Sequence, residues 1–94
     1  MIYHSISKKE LPVLMQEPDT LVIDVREAAE HALGNLGGIN VPLSEFGARM
    51  HELPRGKHIV LYCRSGGRSE LAAKALLDAG FEHVTNVRGG IIGA

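Results

Sequence analysis

Short apolar, β-branched runs alternate with segments that read as helices, and this alternation restricts the fold more than any other feature. The runs are Thr20–Val25 (TLVIDV), His58–Tyr62 (HIVLY) and His83–Val87 (HVTNV), with a shorter one at Ile39–Val41 stopped by Pro42. Their near-continuous hydrophobicity is that of strands buried on both faces. Between them, Ser7-Lys8-Lys9-Glu10 reads as a capping box opening a short helix to about Gln16, its first turns disturbed by Pro12. Arg26–Leu33 is a short Ala-rich segment ended by Gly34. Ser44 is expected to cap a helix from Glu45 to about Leu53, with Leu43, Phe46, Met50 and Leu53 on one face. Ser69–Ala79, rich in Leu and Ala and closed by Gly80, is the strongest helix of the chain. Strands alternating with helices predict an α/β fold, a central parallel sheet flanked by helices on both faces.

The chain has 94 residues, enough for one domain spanning 1–94 and one core. Its 45% hydrophobic and 22% charged residues are those of an ordinary globule. Ten Lys and Arg against eleven Asp and Glu leave a net charge of −1, with no basic excess to hold nucleic acid. No apolar run is long enough to span a membrane, and no signal peptide is visible. A single cysteine, Cys63, excludes an internal disulfide and a multi-cysteine zinc site. The five histidines, His4, His31, His51, His58 and His83, show no metal-ligand spacing and read as surface or strand-edge residues. A reducing, cytoplasmic setting is the default, and it keeps Cys63 a thiol.

In open α/β sheets, ligands bind beyond the carboxyl ends of strands. HIVLY ends at Tyr62, so Cys63 falls at such a place. The loop that follows is Cys63-Arg64-Ser65-Gly66-Gly67-Arg68-Ser69. Its two glycines let the backbone curl and aim N–H groups inward as an anion-binding nest. The next helix adds its free N–H groups and dipole. Arg64 and Arg68 are candidates for holding an anion and for lowering the thiol pKa. Ser65 and Ser69 are candidate hydrogen-bond donors, and Ser69 is equally a candidate helix cap. The expected result is a positive bowl around a nucleophilic thiolate. Asp24 and Arg26 sit at a strand end near the same edge; Asp24 reads as structural and the role of Arg26 stays open.

These residues resemble the rhodanese (sulfurtransferase) domain in its small single-domain form. Ile23–Glu27 (IDVRE) matches the family's early strand-end signature, Gly34–Pro42 (GNLGGINVP) its glycine-bearing connector, Tyr62–Ser69 its active-site loop and Gly89-Gly90-Ile91 its late Gly-Gly-Ile. Ala72, Ala73, Leu76, Gly80, Phe81, Val84 and Val87 follow its pattern between the last two. Asn35 stands where the family usually has His, and the 34–39 stretch is one residue short. The family usually continues past Gly-Gly-Ile with a Trp and a terminal helix, so the C-terminal end looks short; the chain has no Trp. Asn35, Gly37 and Gly38 are candidates for rimming the pocket.

The resemblance implies a rhodanese-like fold and ping-pong sulfur transfer through a Cys63 persulfide. It implies a small anionic donor such as thiosulfate, a thiophilic acceptor that includes a protein as an option, and no metal or organic cofactor. Arg64, Ser65, Gly66, Gly67, Arg68 and Ser69 become substrate-binding candidates. Related phosphatases and arsenate reductases place five residues between Cys and Arg. Here four lie between Cys63 and Arg68, a smaller bowl suited to sulfur rather than a phosphoryl group. A sulfur-relay or binding module of a larger system is the remaining alternative.

Overall fold

The structure is a computed structural model describing residues 2–93. Five parallel strands form one sheet: β1 (Ile2–Ile6), β2 (Thr20–Asp24), β3 (Ile39–Asn40), β4 (His58–Tyr62) and β5 (His83–Val87), in the order β1-β5-β4-β2-β3. The helices are α1 (Leu11–Met15), α2 (Ala28–Leu33), α3 (Leu43–Arg49) and α4 (Gly67–Asp78). A 3-10 turn precedes α1 at Lys8–Glu10 and another follows α3 at Met50–Glu52.

The length predicts one core, but the sheet divides the buried apolar residues into two clusters, one on each face. On one, Ile23, Ile59, Leu61 and Val84 pack with Phe46 from α3 and Ala72, Ala73 and Leu76 from α4. On the other, Val22, Val60, Tyr62 and Val87 pack with Leu11 and Leu14 from α1. This is the predicted two-sided cover. The central strands are buried on both faces, which is why their sequences show no polar alternation.

β4 and β5 have the predicted bounds, and β2 ends one residue early. Val25 leaves the ladder but stays tied, its N–H donating to the Tyr62 carbonyl at 3.0 Å. β1 is a strand the sequence pattern does not reveal: as an edge strand with one neighbour, it keeps Tyr3 and His4 exposed and lacks a continuous apolar run. The Ser7–Glu10 box forms, Glu10 accepting the Ser7 N–H at 2.7 Å, but it opens the 3-10 turn, and Pro12 falls in the first turn of α1, where a missing N–H is harmless.

Three helix starts differ from expectation; α4 runs Gly67–Asp78, beginning two residues before Ser69, because Gly66 is its N-cap. α3 begins two residues before Glu45, capped by Pro42 rather than Ser44; the Leu43 N–H is satisfied by the Val25 carbonyl, and the Ser44 hydroxyl reaches the Glu27 carboxylate instead. α2 begins at Ala28, because Glu27 and Glu30 form a capping box of their own.

The histidines are not all simple surface residues. His4 and His51 are exposed, but His58 and His83 lie opposite one another on β4 and β5, half-buried and stacked at 3.6 Å between ring centroids. His58 Nε2 also meets Thr85 Oγ1 at 2.6 Å. Parallel register brings them together: Thr20 pairs with His58 and Ile59 with Val84, so the amino ends of β2, β4 and β5 line up. This end is opposite to Cys63.

Candidate active site

Cys63 leaves the carboxyl end of β4, and its residue surface is 1% exposed. The loop returns over the sulfur and enters α4 at Gly67. Gly66 makes that turn possible: it is the helix N-cap with φ of 105°, a left-handed conformation suited to glycine. A Cβ there would also press on the Gly89 backbone nitrogen, at 3.1 Å. Gly67 is already helical, so only one of the two loop glycines is needed for the curl.

The sulfur sits in a nest of donors. The Gly66 N–H donates to Sγ at 3.0 Å, the Ser69 N–H at 3.5 Å, and the Ser65 N–H lies within reach. The Ser69 hydroxyl stands 3.5 Å from Sγ. Burial pushes the thiol pKa up. Hydrogen bonds from the Ser69 hydroxyl and from the backbone of Ser69, Gly66 and Ser65 outweigh it, and the net shift is downward. Ser69 is therefore not a helix cap. It occupies the first turn of α4, fully buried, with its hydroxyl against Gly66 O at 3.1 Å and against Asn86 Oδ1.

The arginines are arranged otherwise than the sequence suggests. Arg68 forms a two-contact ion pair with Glu30 of α2, at 2.7 and 3.0 Å. That bond draws the Glu30 carboxyl down to about 2. It ties the loop to α2 and turns the guanidinium away from the role of a free anion hook. Arg64 is exposed and lines a cleft of about 370 Å³ with Leu33, Gly34, Ile91 and Ile92. The nest around the sulfur is thus made of amides and a hydroxyl rather than of guanidinium groups. Asn35 lies outside this cleft: its side chain staples its own loop, donating to His31 O and accepting from Gly37 N.

Asp24 and Arg26 hold the neighbouring strand end. Asp24 is fully buried and accepts from Arg26 Nε at 3.0 Å and Nη2 at 2.8 Å, with His31 Nδ1 at 2.9 Å. Burial raises the carboxyl, but these bonds win and lower its pKa. Arg26 also donates to the Gly34 carbonyl at 2.6 Å. The pair therefore anchors the connector that flanks the cleft, a structural role for Asp24 as expected.

Sequence reasoning did not single out Glu30 or Asn86. A signal for Asn86 existed: a carboxamide inside a strand otherwise buried on both faces must find a partner. Nothing in the sequence pattern marks Glu30 as the partner of Arg68.

Residues 7–93 match the sequence profile of the Rhodanese-like domain. The chain belongs to the rhodanese-like family. A sulfurtransferase of Allochromatium vinosum is 40% identical over 80 residues, covering 84% of this chain and 75% of the relative. A tRNA uridine(34) hydroxylase of Nitrobacter hamburgensis is 35% identical over 94 residues, covering 93% of this chain; the chain spans 37% of that longer protein. Among solved structures, the rhodanese-related protein of Thermoplasma volcanium superposes with a TM-score of 0.84 at 33% identity, covering 95% of this chain and 87% of the other. The rhodanese-like fold and sulfurtransferase family membership inferred from the loop and its flanking motifs are thereby established. Among the described residues, no helix is long and apolar enough to cross a membrane.

Proposed function

We propose that this rhodanese-like protein carries a sulfane sulfur on Cys63, taking it from an anionic donor such as thiosulfate and giving it to a thiophilic acceptor. The observation that carries this reading is the nest: a buried sulfur at a strand end, facing N–H groups of Gly66 and Ser69 and the Ser69 hydroxyl. Such donors stabilise negative charge on sulfur, first as thiolate and then on the outer atom of a persulfide. The Cys63 thiolate attacks the outer sulfur of thiosulfate; the S–S bond of the donor breaks and its electron pair leaves with sulfite. An acceptor such as cyanide then attacks the outer sulfur, thiocyanate departs and the thiolate returns. Both halves balance without a metal or redox cofactor.

In this reading Cys63 is the nucleophile, and the backbone of Ser65, Gly66 and Gly67 with Ser69 holds the transferred sulfur. Arg64 meets the incoming anion at the mouth, and Arg68 keeps the loop docked on α2 through Glu30. Leu33 and Ile92, both exposed beside Arg64, favour an acceptor with apolar surface, a protein carrying a thiol among them.

Steady-state transfer from thiosulfate to cyanide tests the reading. Cys63→Ser is expected to abolish thiocyanate production while leaving the unfolding midpoint nearly unchanged. Transfer that survives this substitution would overturn it. Phosphatase chemistry is disfavoured by the four residues between Cys63 and Arg68; hydrolysis of an aryl phosphate that is lost with Cys63 would reinstate it.

A further inference from the structure

Asn86 is a buried polar side chain to which the sulfur-transfer scheme assigns no part. It lies in β5, is 4% exposed, and its backbone is in register with Leu61 of β4 and Ser5 of β1. Its Oδ1 makes a very close contact with the Ser69 hydroxyl. A carboxamide oxygen only accepts, so Ser69 is the donor and Asn86 the acceptor of this contact.

The Ser69 hydroxyl has one proton and three acceptors. Asn86 Oδ1 is nearest, Gly66 O is at 3.1 Å and Cys63 Sγ at 3.5 Å. Ser69 is fully buried, so water does not dilute the competition. A resting thiol carries its own proton and needs none from Ser69. A thiolate is an acceptor only, and its demand for a donor is strong.

We propose that Asn86 is a positioning residue that acts through Ser69, holding the hydroxyl proton while Cys63 is a thiol and yielding it when the sulfur becomes charged. The change is a rotation about the Cβ–Oγ bond of Ser69. The rotation itself makes and breaks no covalent bond; in the ionisation the Cys63 S–H bond breaks, its electron pair stays on sulfur and its proton goes to solvent. The hold of Asn86 on Ser69 therefore sets how readily Cys63 ionises: the tighter the hold, the smaller the thiolate fraction. Its meaning for catalysis rests on Cys63 carrying the sulfur, but its test reads only the ionisation of the thiol.

Ultraviolet absorbance of the thiolate, titrated against pH, reads that ionisation directly, because the chain has one cysteine. Each variant is compared with its own Cys63→Ser counterpart to remove tyrosine absorbance. Asn86→Ala releases the hydroxyl, and the ratio of thiolate to thiol at a fixed pH is expected to rise about three- to tenfold. Ser69→Ala removes the donor, and the ratio is expected to fall. In the Ser69→Ala background, Asn86→Ala is expected to have no further effect, which a merely structural Asn86 would not produce. Asn86→Thr suits a strand and leaves less of a cavity, so it repeats the comparison if the alanine variant does not fold; its rise is smaller and again absent without Ser69. An unchanged ratio in both Asn86 variants, or an equal change with and without Ser69, overturns the proposal. Loss of sulfur transfer with the pH titration as described would instead speak against the carrier role of Cys63.

Discussion

At the scale of the residue, the thiol is controlled by short-range donors. Burial alone would make Cys63 an inert core sulfur, and the nest reverses that by presenting donors where charge develops. The nest depends on one backbone conformation. Gly66→Ala is expected to cost about 1–2 kcal/mol, from placing an L-residue in the left-handed region. Urea unfolding measures that cost. Sulfur transfer is expected to fall by more than the fraction of unfolded protein explains, because the Gly66 N–H moves off the sulfur. Cys63, its place at a strand end and the curl of the loop were legible in the sequence, since strand, glycines and helix are contiguous. The orientations of Arg64 and Arg68 were not. A guanidinium chooses its partner by tertiary proximity, and Glu30 lies far away in the chain, brought close only when α2 folds over the carboxyl end of the sheet.

At the scale of the element, β4 does two jobs with alternate side chains. Ile59, Leu61 and Cys63 face α3 and α4, while Val60 and Tyr62 face α1. Tyr62 is fully buried, and its hydroxyl ties down the connector before β3, donating to Gly37 O at 2.8 Å and accepting from Leu36 N at 3.0 Å. Tyr62→Phe strands both backbone groups of a part-buried loop. A loss of about 1–2 kcal/mol is expected in equilibrium unfolding, with faster amide exchange confined to residues 34–38. The central strands were legible because burial on both faces makes them continuous apolar runs, and α4 because its Leu and Ala face one of the two cores. The edge strand β1 was not, since an edge position asks less of its side chains. The starts of α2 and α3 were missed because Glu27 opens α2 through a box with Glu30, while α3 follows Pro42 without a side-chain cap, its Leu43 N–H held by the Val25 carbonyl.

At the scale of the whole molecule, the two ends of the sheet carry different titratable groups. The carboxyl ends carry the thiol nest with the Asp24–Arg26 and Glu30–Arg68 pairs. The amino ends carry the stacked His58 and His83 with His4 edge-on at 5.8 Å. Burial, with His83 and His4 as like-charged neighbours, lowers the His58 pKa to about 4 from 6.5. The unfolded chain therefore binds more protons than the folded one between these values, and stability rises with pH across that window. Unfolding free energy is expected to be full above about pH 6.5, to fall by on the order of 2 kcal/mol toward pH 4, allowing for partial exposure, and then to level off in this component. His58→Gln is expected to flatten that limb in a series of urea titrations. The Glu30–Arg68 pair adds a separate loss only below about pH 4.5, as Glu30 protonates toward its folded value of about 2. An acid limb that persists unchanged in His58→Gln would place its origin elsewhere.

The proposed activity rests on the sulfur of Cys63, and intact-protein mass spectrometry after incubation with thiosulfate reads it most directly. Wild-type protein should gain the mass of one sulfur atom, located by peptide mapping at Cys63, and should lose it again on addition of cyanide. The Cys63→Ser protein should gain nothing. A folded wild-type protein that keeps a free thiol with thiosulfate, with an organic thiosulfonate and with a persulfide donor alike would contradict the assignment of Cys63 as the sulfur carrier.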